Sequence, residues 1–280
     1  LGSLTGKQQE LVTTLELIRI EEFIPSTRGF PGRPRKGRTA IARAFVAKMV
    51  YNKATTRALL DRLATDSALR RICGWEQKSD VPGEWDFSRA FAEFSNTQLP
   101  ERVHEAFIKR SYEGGLVGHN SRDSTAIEAR EKPLQKVAAQ KVAARRGRPK
   151  RGEERVKPLT RIERQASGMG LADMLDGLPK ACDVGTKKNS KGYKVSWTGY
   201  KLHIDVADGG IPISAILTSA STHDSQVAIP LAKMSSERVV NLYDVMDAAY
   251  DVPQIYDMGR HLCLFPLIVL SPRLILALKY

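Results

Sequence analysis

The 280-residue sequence is 42% hydrophobic, carries a net charge of +13 and has a pI near 9.7. This length and apolar content are enough for a sizeable core in one large domain or two smaller ones, and we expect two. The positive charge favours a polyanionic partner, either nucleic acid or an acidic membrane surface, because lysine and arginine release counterions when they bind phosphates.

The sequence contains no pattern typical of a membrane span or of a disulfide framework. Its N-terminus lacks the apolar region of a signal peptide, and the longest apolar stretch, 262–270, contains Pro266 and is followed by Pro272. The three cysteines are far apart and form no Cys-x-x-Cys pair. We therefore expect no membrane partner and a reducing cytoplasm.

The first 115 residues have the apolar spacing of helices, and we expect an all-helical domain over 1–115 with Trp75 and Trp85 in its core. Pro25 and the basic, glycine-rich stretch 29–37 interrupt the pattern. The predicted helices cover 8–20, 39–51, 56–72, 87–94 and a stretch that Pro100 opens.

From Leu116 onward the apolar period becomes that of strands. Strands are predicted over 116–123, 200–206, 211–217 and 239–246, and Asp208-Gly209-Gly210 makes the tight turn of a hairpin. A basic insertion at about 131–190 separates the first two strands. Within it, Glu131 to Arg164 carries 12 lysines and arginines against 4 glutamates, and most of the surplus charge of the chain lies there.

Asp123 and Asp247 each end a predicted strand. An aspartate in that position is rigidly held and ionised at neutral pH, which suits a hard cation such as Mg²⁺ or Mn²⁺ that takes oxygen ligands. Two such carboxylates on adjacent strands could share a divalent metal and support phosphoryl transfer. The alternative is that each aspartate caps the turn that follows its strand.

Five short motifs, in this order, resemble those of the DDE transposases of bacterial insertion sequences. They are Asp-Ser-Thr at 123–125, Gly-Tyr-Lys-Leu-His at 199–203, Gly-Ile-Pro-Ile at 210–213, Thr-His-Asp-Ser at 222–225 and Met-Asp-Ala-Ala-Tyr-Asp at 246–251. The resemblance implies an α/β fold, a ribonuclease H-like mixed sheet with flanking helices over 116–280, preceded by an all-α domain.

The resemblance also implies roles for individual residues. Asp123 and Asp247 correspond to the first two catalytic acids, which hold Mg²⁺ or Mn²⁺. The family takes a third acid, a Glu, from a later helix, but the 33 residues after Asp247 contain no Glu, so we expect the catalytic domain to be truncated before that residue. His223 and Asp224 either lie near the metal or orient a loop.

Two other histidines, His119 and His203, are expected to pack or hydrogen-bond within the sheet, because a site built from carboxylates needs no imidazole ligand.

Three basic or helical stretches are candidates for DNA contacts. Arg146-Gly147-Arg148-Pro149 has the form of an arginine hook for a narrow minor groove, and 31–36 is a weaker copy of it. The helices at about 55–72 and 87–94 could form a helix-turn-helix-like unit. A solvated linker and an ordinary helical core are the alternatives. The candidate residues are Arg33, Arg35, Lys36, Ser88, Arg89, Arg146, Arg148, Lys150 and Arg151.

These features predict a transposase that cleaves DNA at the terminal inverted repeats of an insertion sequence and transfers the strands to target DNA. Its partners would be double-stranded DNA and a second copy of the chain, and it would work in the bacterial cytoplasm at the nucleoid. A nuclease of the same fold and an inactive DNA-binding remnant are the alternatives.

Overall fold

A computed structural model describes residues 3–25, 37–134, 158–188 and 191–269. The chain divides into two compact units, Leu1–Ser111 and Tyr112–Tyr280. Across these described ranges, no helix has both the length and the apolar character needed to cross a membrane.

The first unit is built from helices whose apolar faces share one core. Buried leucines include Leu11, Leu59 and Leu63, and the ring of Phe45 meets the buried ring of Phe87 edge-on, with 5.6 Å between centroids. The helices are α1 (Gly6–Ile18), α2 (Arg38–Val50), α3 (Thr56–Thr65), α4 (Ser67–Cys73), α5 (Glu84–Asn96) and α6 (Leu99–Ser111). One-turn 3-10 helices cover Ile20–Phe23 and Lys78–Asp80.

The predicted helix over 56–72 is two helices, because Asp66 interrupts it. Asp66 has an extended backbone, and its carboxylate accepts hydrogen bonds from the Leu69 N–H at 2.9 Å and from Gln8 Nε2 at 3.2 Å. An aspartate that accepts the N–H three residues ahead is an N-cap, so the chain starts a new helix there.

The prediction that Trp85 lies in the core is wrong. Trp75 is buried, but Trp85 is 69% exposed. Residues Phe87, Ala90 and Phe94 define the buried face of α5, and the helical period places Trp85 on the opposite face.

The second unit combines a mixed six-stranded sheet with helices, which agrees with the predicted α/β, ribonuclease H-like class. The strands are β1 (Leu116–Glu128), β2 (Asp183–Lys188), β3 (Lys194–Ala207), β4 (Ile211–Ser219), β5 (Val240–Met246) and β6 (Phe265–Ile268). The helices are α7 (Arg161–Ala166), α8 (Leu171–Asp176), α9 (Ser225–Ser236) and α10 (Pro253–His261).

The strand order is β2-β3-β1-β5-β6, and β4 pairs with β3 beside β2. β3 is antiparallel to its three partners, whereas β1, β5 and β6 are parallel. The first part of β3 pairs with β2 up to Gly199, and from Tyr200 the same edge pairs with β4. Helix α9 packs on β3 and β4 through buried residues that include Val227 and Leu231.

Three predictions for the second unit need correction. β3 begins at Lys194, six residues before the predicted start at Tyr200. β1 extends to Glu128, five residues beyond Asp123, because it keeps pairing with β3 as far as Gly199. The predicted insertion at 131–190 contains α7, α8 and strand β2. β2 lacks the apolar alternation of a half-buried strand, since its last two residues are exposed lysines.

Candidate active site

Parallel pairing brings Asp123 and Asp247 to adjacent positions. β1 and β5 pair from Leu116–Val240 to Arg122–Met246, and the two aspartates are the next residue of each chain. Neighbouring strands lie about 4.8 Å apart. Both aspartates are exposed. Two residues that are far apart in sequence therefore come to neighbouring backbone positions where β1 and β5 part.

Backbone N–H groups orient each carboxylate. Asp123 Oδ1 accepts from the Ser124 N–H at 2.6 Å. Asp247 Oδ1 accepts from the Ala249 N–H at 2.9 Å and so caps the one-turn 3-10 helix Ala248–Tyr250. Asp247 therefore caps the turn after its strand, as the alternative interpretation predicted for both aspartates. Asp123 lies inside β1 and caps no turn, which contradicts its predicted place at a strand end.

The pKa of the Asp247 carboxyl is raised above its ordinary value. Although Asp247 is exposed, partial desolvation of its carboxyl is the largest cause, and the negative charges of Asp224 and Asp123 add to it, while the Ala249 N–H and His223 act in the opposite direction. Three carboxylates therefore interact at this end of the sheet. A bound cation would relieve the repulsion among them.

Asp224 and His223 lie in the loop between β4 and α9. Lys201 Nζ is 3.2 Å from Asp224 Oδ1 and donates to the Thr222 carbonyl at 2.9 Å. His223 Nδ1 lies 2.9 Å from Ser225 Oγ. These contacts orient the loop, as one of the two interpretations predicted, and the charge of Asp224 acts on Asp247 as well.

His203 and His119 hydrogen-bond or pair within the second unit, as predicted. His203 is fully buried, and its Nε2 lies 3.0 Å from Thr218 Oγ1. Burial lowers the pKa of His203 to about 4, so the imidazole is neutral at pH 7. His119 is half exposed, and its Nδ1 lies 2.5 Å from Asp208 Oδ1 at the hairpin turn.

A buried ion-pair network is built around Arg122, the residue before Asp123 in β1, and sequence reasoning missed it. Arg122 donates to both oxygens of Asp205 at 2.8 Å and, through Nη2, to Asp244 at 3.0 Å. Its side chain is 1% exposed, and those of Asp205 and Asp244 are 0% and 6% exposed. Burial alone would lower the pKa of Arg122, but the two carboxylates raise it. The network ties β1 to β3 and β5 one residue before Asp123.

Hydroxyl and amide groups donate further hydrogen bonds to the carboxylates of Asp205 and Asp244. Ser235 on α9 donates to Asp205 at 2.6 Å, and Asn241 donates to Asp244 at 2.8 Å. Asn120 donates to Asp205 at 2.9 Å. The signal in the sequence is the polar pair Asn120 and Arg122 at alternate positions of a strand, but only the register reveals their partners.

The donor set fits a hard divalent cation. Mg²⁺ keeps several of its waters and binds through one or two carboxylates together with substrate phosphates. Asp123 and Asp247 can supply the two carboxylates. Among the residues that the structure describes, no group of three or more His, Cys, Asp or Glu side chains is placed to hold a metal ion.

A family model described as "Transposase DDE domain" matches residues 123–274, which is more than half of the chain. The chain belongs to this transposase family. The match begins at Asp123 and includes Asp247, so both aspartates lie inside the DDE domain. Transposases of this family act on DNA and generally use a divalent metal. Neither a curated protein nor a solved structure matches the chain.

Two of the residues predicted to contact DNA, Ser88 and Arg89, lie in the part of the chain that the structure describes. Ser88 and Arg89 are exposed on α5. Ser88 Oγ donates to the Glu84 carbonyl at 3.1 Å, and the guanidinium carbon of Arg89 lies 5.0 Å from the centre of the Trp85 ring. The other candidates lie outside the described residues: Arg33, Arg35, Lys36, Arg146, Arg148, Lys150 and Arg151.

Proposed function

We propose that this transposase cleaves DNA at the terminal inverted repeats of an insertion sequence and joins the freed strands to target DNA. The chemistry is phosphoryl transfer that depends on Mg²⁺ or Mn²⁺. The observation that supports it best is the adjacent placement of Asp123 and Asp247 at the end of the β1–β5 pair, where Asp123 also helps to raise the pKa of Asp247.

Each residue of the site has a distinct task in this proposal. Asp123 and Asp247 would hold the metal, and a bound divalent cation there would supply Lewis-acid activation of the attacking water or 3′-hydroxyl and charge stabilisation of the leaving oxygen. Asp224 adds negative charge that favours a cation. Arg122 fixes the alignment of β1 with β5 and thereby the spacing of the two metal-holding carboxylates.

The proposed DNA substrate agrees with the net charge of +13. Joining an element to a target requires its two ends to be held together, and we propose that two copies of the chain do this as a homodimer at the nucleoid. Ser88 and Arg89 on the exposed face of α5 are proposed contacts to the phosphate backbone.

A cleavage assay on labelled duplex that carries the element's end tests the proposal. Asp123→Asn and Asp247→Asn should each lower the Mg²⁺-dependent cleavage rate by about 10³-fold or more, because loss of metal-borne charge stabilisation removes several kcal/mol. Asp176→Asn is the matched control, since Asp176 at the end of α8 is 89% exposed and pairs with the exposed Lys180 that follows the helix. Equal cleavage by wild type and the two site variants would refute the assignment.

The products of the same assay separate the alternatives. Nicked DNA without joined product would identify a nuclease of this fold. Binding without cleavage would identify a DNA-binding remnant. The remnant has one observation in its favour: the described residues hold no cluster of three potential metal ligands, whereas the resemblance implies three acids.

A further inference from the structure

Strands β2 and β3 leave the main sheet as a two-stranded basic ribbon, defined here as residues 186–188 and 191–196. Every residue of the ribbon is exposed, so both of its faces are in contact with solvent. It carries Lys187, Lys188, Lys191 and Lys194, and the sequence has no acidic residue between Asp183 and Asp205. The ribbon is therefore a uniformly positive projection of the second unit.

The base of the ribbon is held firmly in the sheet. Trp197 is buried, and its Nε1 donates to the Tyr200 carbonyl at 3.0 Å. Its ring covers Gly185, where an added Cβ would lie 2.5 Å from Trp197 Cζ2 and 2.7 Å from the Ala220 carbonyl oxygen. A glycine is needed at position 185 for this close approach. The lysines are thus carried on an anchored strand pair.

Lysines of the ribbon repel one another, and a bound polyanion would relieve that repulsion. Lys188 and Lys194 are direct partners across the strands, and like charges in that position destabilise a sheet. On the same face, the hydroxyls of Thr186 and Ser196 lie 3.0 Å apart. Two lysines and two hydroxyls side by side form a surface that suits phosphate oxygens.

The ribbon lies at a defined distance from the candidate active site. Ile204 of β3 is the partner of Asp123, and β3 runs from there back through Gly199 to Lys194. Ten residues of strand at about 3.4 Å each span roughly 34 Å. Because B-DNA rises about 3.4 Å per base pair along each strand, this length corresponds to roughly 10 base pairs.

We propose that the basic ribbon binds the phosphate backbone of duplex DNA roughly one helical turn from the phosphate that reacts at Asp123 and Asp247. This inference rests on the proposed function, because it takes the duplex to extend from the reacting site along β3. Lysines on the ribbon contact phosphates and not base edges, so the contact positions the duplex without selecting its sequence.

Salt-dependent binding of end-bearing duplex to the full chain tests the proposal, with fluorescence anisotropy as the readout. The variant Lys188→Gln/Lys194→Gln should lower the slope of log K against log salt by about 1.8, since each lost phosphate contact contributes about 0.9. The control Lys180→Gln/Arg260→Gln removes the same charge from exposed side chains that pair with Asp176 and Asp257, and it should leave the slope unchanged.

Duplex length provides a second measurement. The duplex can be shortened so that fewer than about 5 base pairs extend from the reacting phosphate towards the ribbon. The difference in salt slope between wild type and Lys188→Gln/Lys194→Gln should then disappear, because the ribbon would have no phosphates to contact. The thermal midpoint of this variant without DNA should not fall, since it removes a repulsive pair.

The outcomes separate this proposal from the proposed function. A wild-type slope in the ribbon variant, or equal losses in the ribbon variant and the control, would overturn the ribbon contact and leave DNA cleavage untouched. Asp123→Asn should keep the wild-type slope while it loses cleavage. A wild-type chain that binds no DNA would overturn both proposals.

Discussion

Replacing Arg122 with alanine should destabilise the second unit by about 3–5 kcal/mol. The wild-type guanidinium is 1% exposed and neutralises two carboxylates that are themselves almost fully buried. Removing one partner of a buried ion pair costs about this much, because the charges left behind keep neither water nor a counterion. Here two carboxylates are left behind, so the upper half of the range is expected.

Urea denaturation followed by circular dichroism at pH 7 measures the loss directly. For a unit of this size the thermal midpoint should fall by about 6–20 °C, since 1 kcal/mol corresponds to about 2–4 °C. Arg122→Lys keeps the charge but cannot donate to both oxygens of Asp205 as Arg122 does, so it should fall between wild type and alanine.

A triple variant, Arg122→Met/Asp205→Asn/Asp244→Asn, isolates the reason for the loss. It removes all three charges together, so most of the stability should return. If Arg122→Ala costs less than about 1 kcal/mol, or if the triple variant is as unstable as the single one, buried uncompensated charge is not what Arg122 prevents.

Three further predictions concern stability. Asp247→Asn should raise the thermal midpoint of the metal-free protein in EDTA at pH 7, because the raised pKa of Asp247 means that the folded state binds its proton more tightly than the unfolded state does. The difference in thermal midpoint between the variant and wild type should therefore shrink as the pH falls from neutral towards about 4. A difference that stays constant with pH would contradict this. Tyr250→Phe should change the free energy of unfolding by less than about 1 kcal/mol in either direction, because the buried Tyr250 hydroxyl has no hydrogen-bond partner among the described residues. A larger loss in urea denaturation would show that this hydroxyl does have a hydrogen-bond partner. Gly185→Ala should cost about 1–3 kcal/mol in the same assay, since the new methyl group would lie against both the Trp197 ring and the Ala220 carbonyl oxygen, and a neutral result would show that both can move aside freely.

The sequence was sufficient to predict those parts of the fold that rest on local pattern. The strict apolar alternation of 200–206, the Asp-Gly-Gly turn and the return strand 211–217 predict the hairpin, and the structure has β3 and β4 there, although β3 begins six residues earlier at Lys194. β2 could not be found in this way, because exposed lysines at 187 and 188 give no alternation. Its strand character comes from pairing with β3, which is a tertiary contact.

Two further features of the first unit follow from sequence spacing alone. Asp66 stands three residues before Leu69, in the position of an N-cap, and that spacing predicts a helix start inside the stretch 56–72. The exposure of Trp85 also follows from helical spacing, because Phe87, Ala90 and Phe94 define a buried face of α5 that excludes it. The Arg122 network was not predictable, because polar residues on a strand normally indicate its solvent face.

The network also explains how a fold can set the spacing of two aspartates so distant in sequence. A slip of one residue between β1 and β5 would turn every side chain of one strand to the other face and would separate Arg122 from Asp244. The buried pair therefore penalises the wrong register even where it adds little stability over apolar residues. The triple variant should then fold stably and still lose Mg²⁺-dependent cleavage, because Asp123 and Asp247 would no longer be held at one spacing. Cleavage at the wild-type rate in that variant would show that the sheet sets the register without these charges.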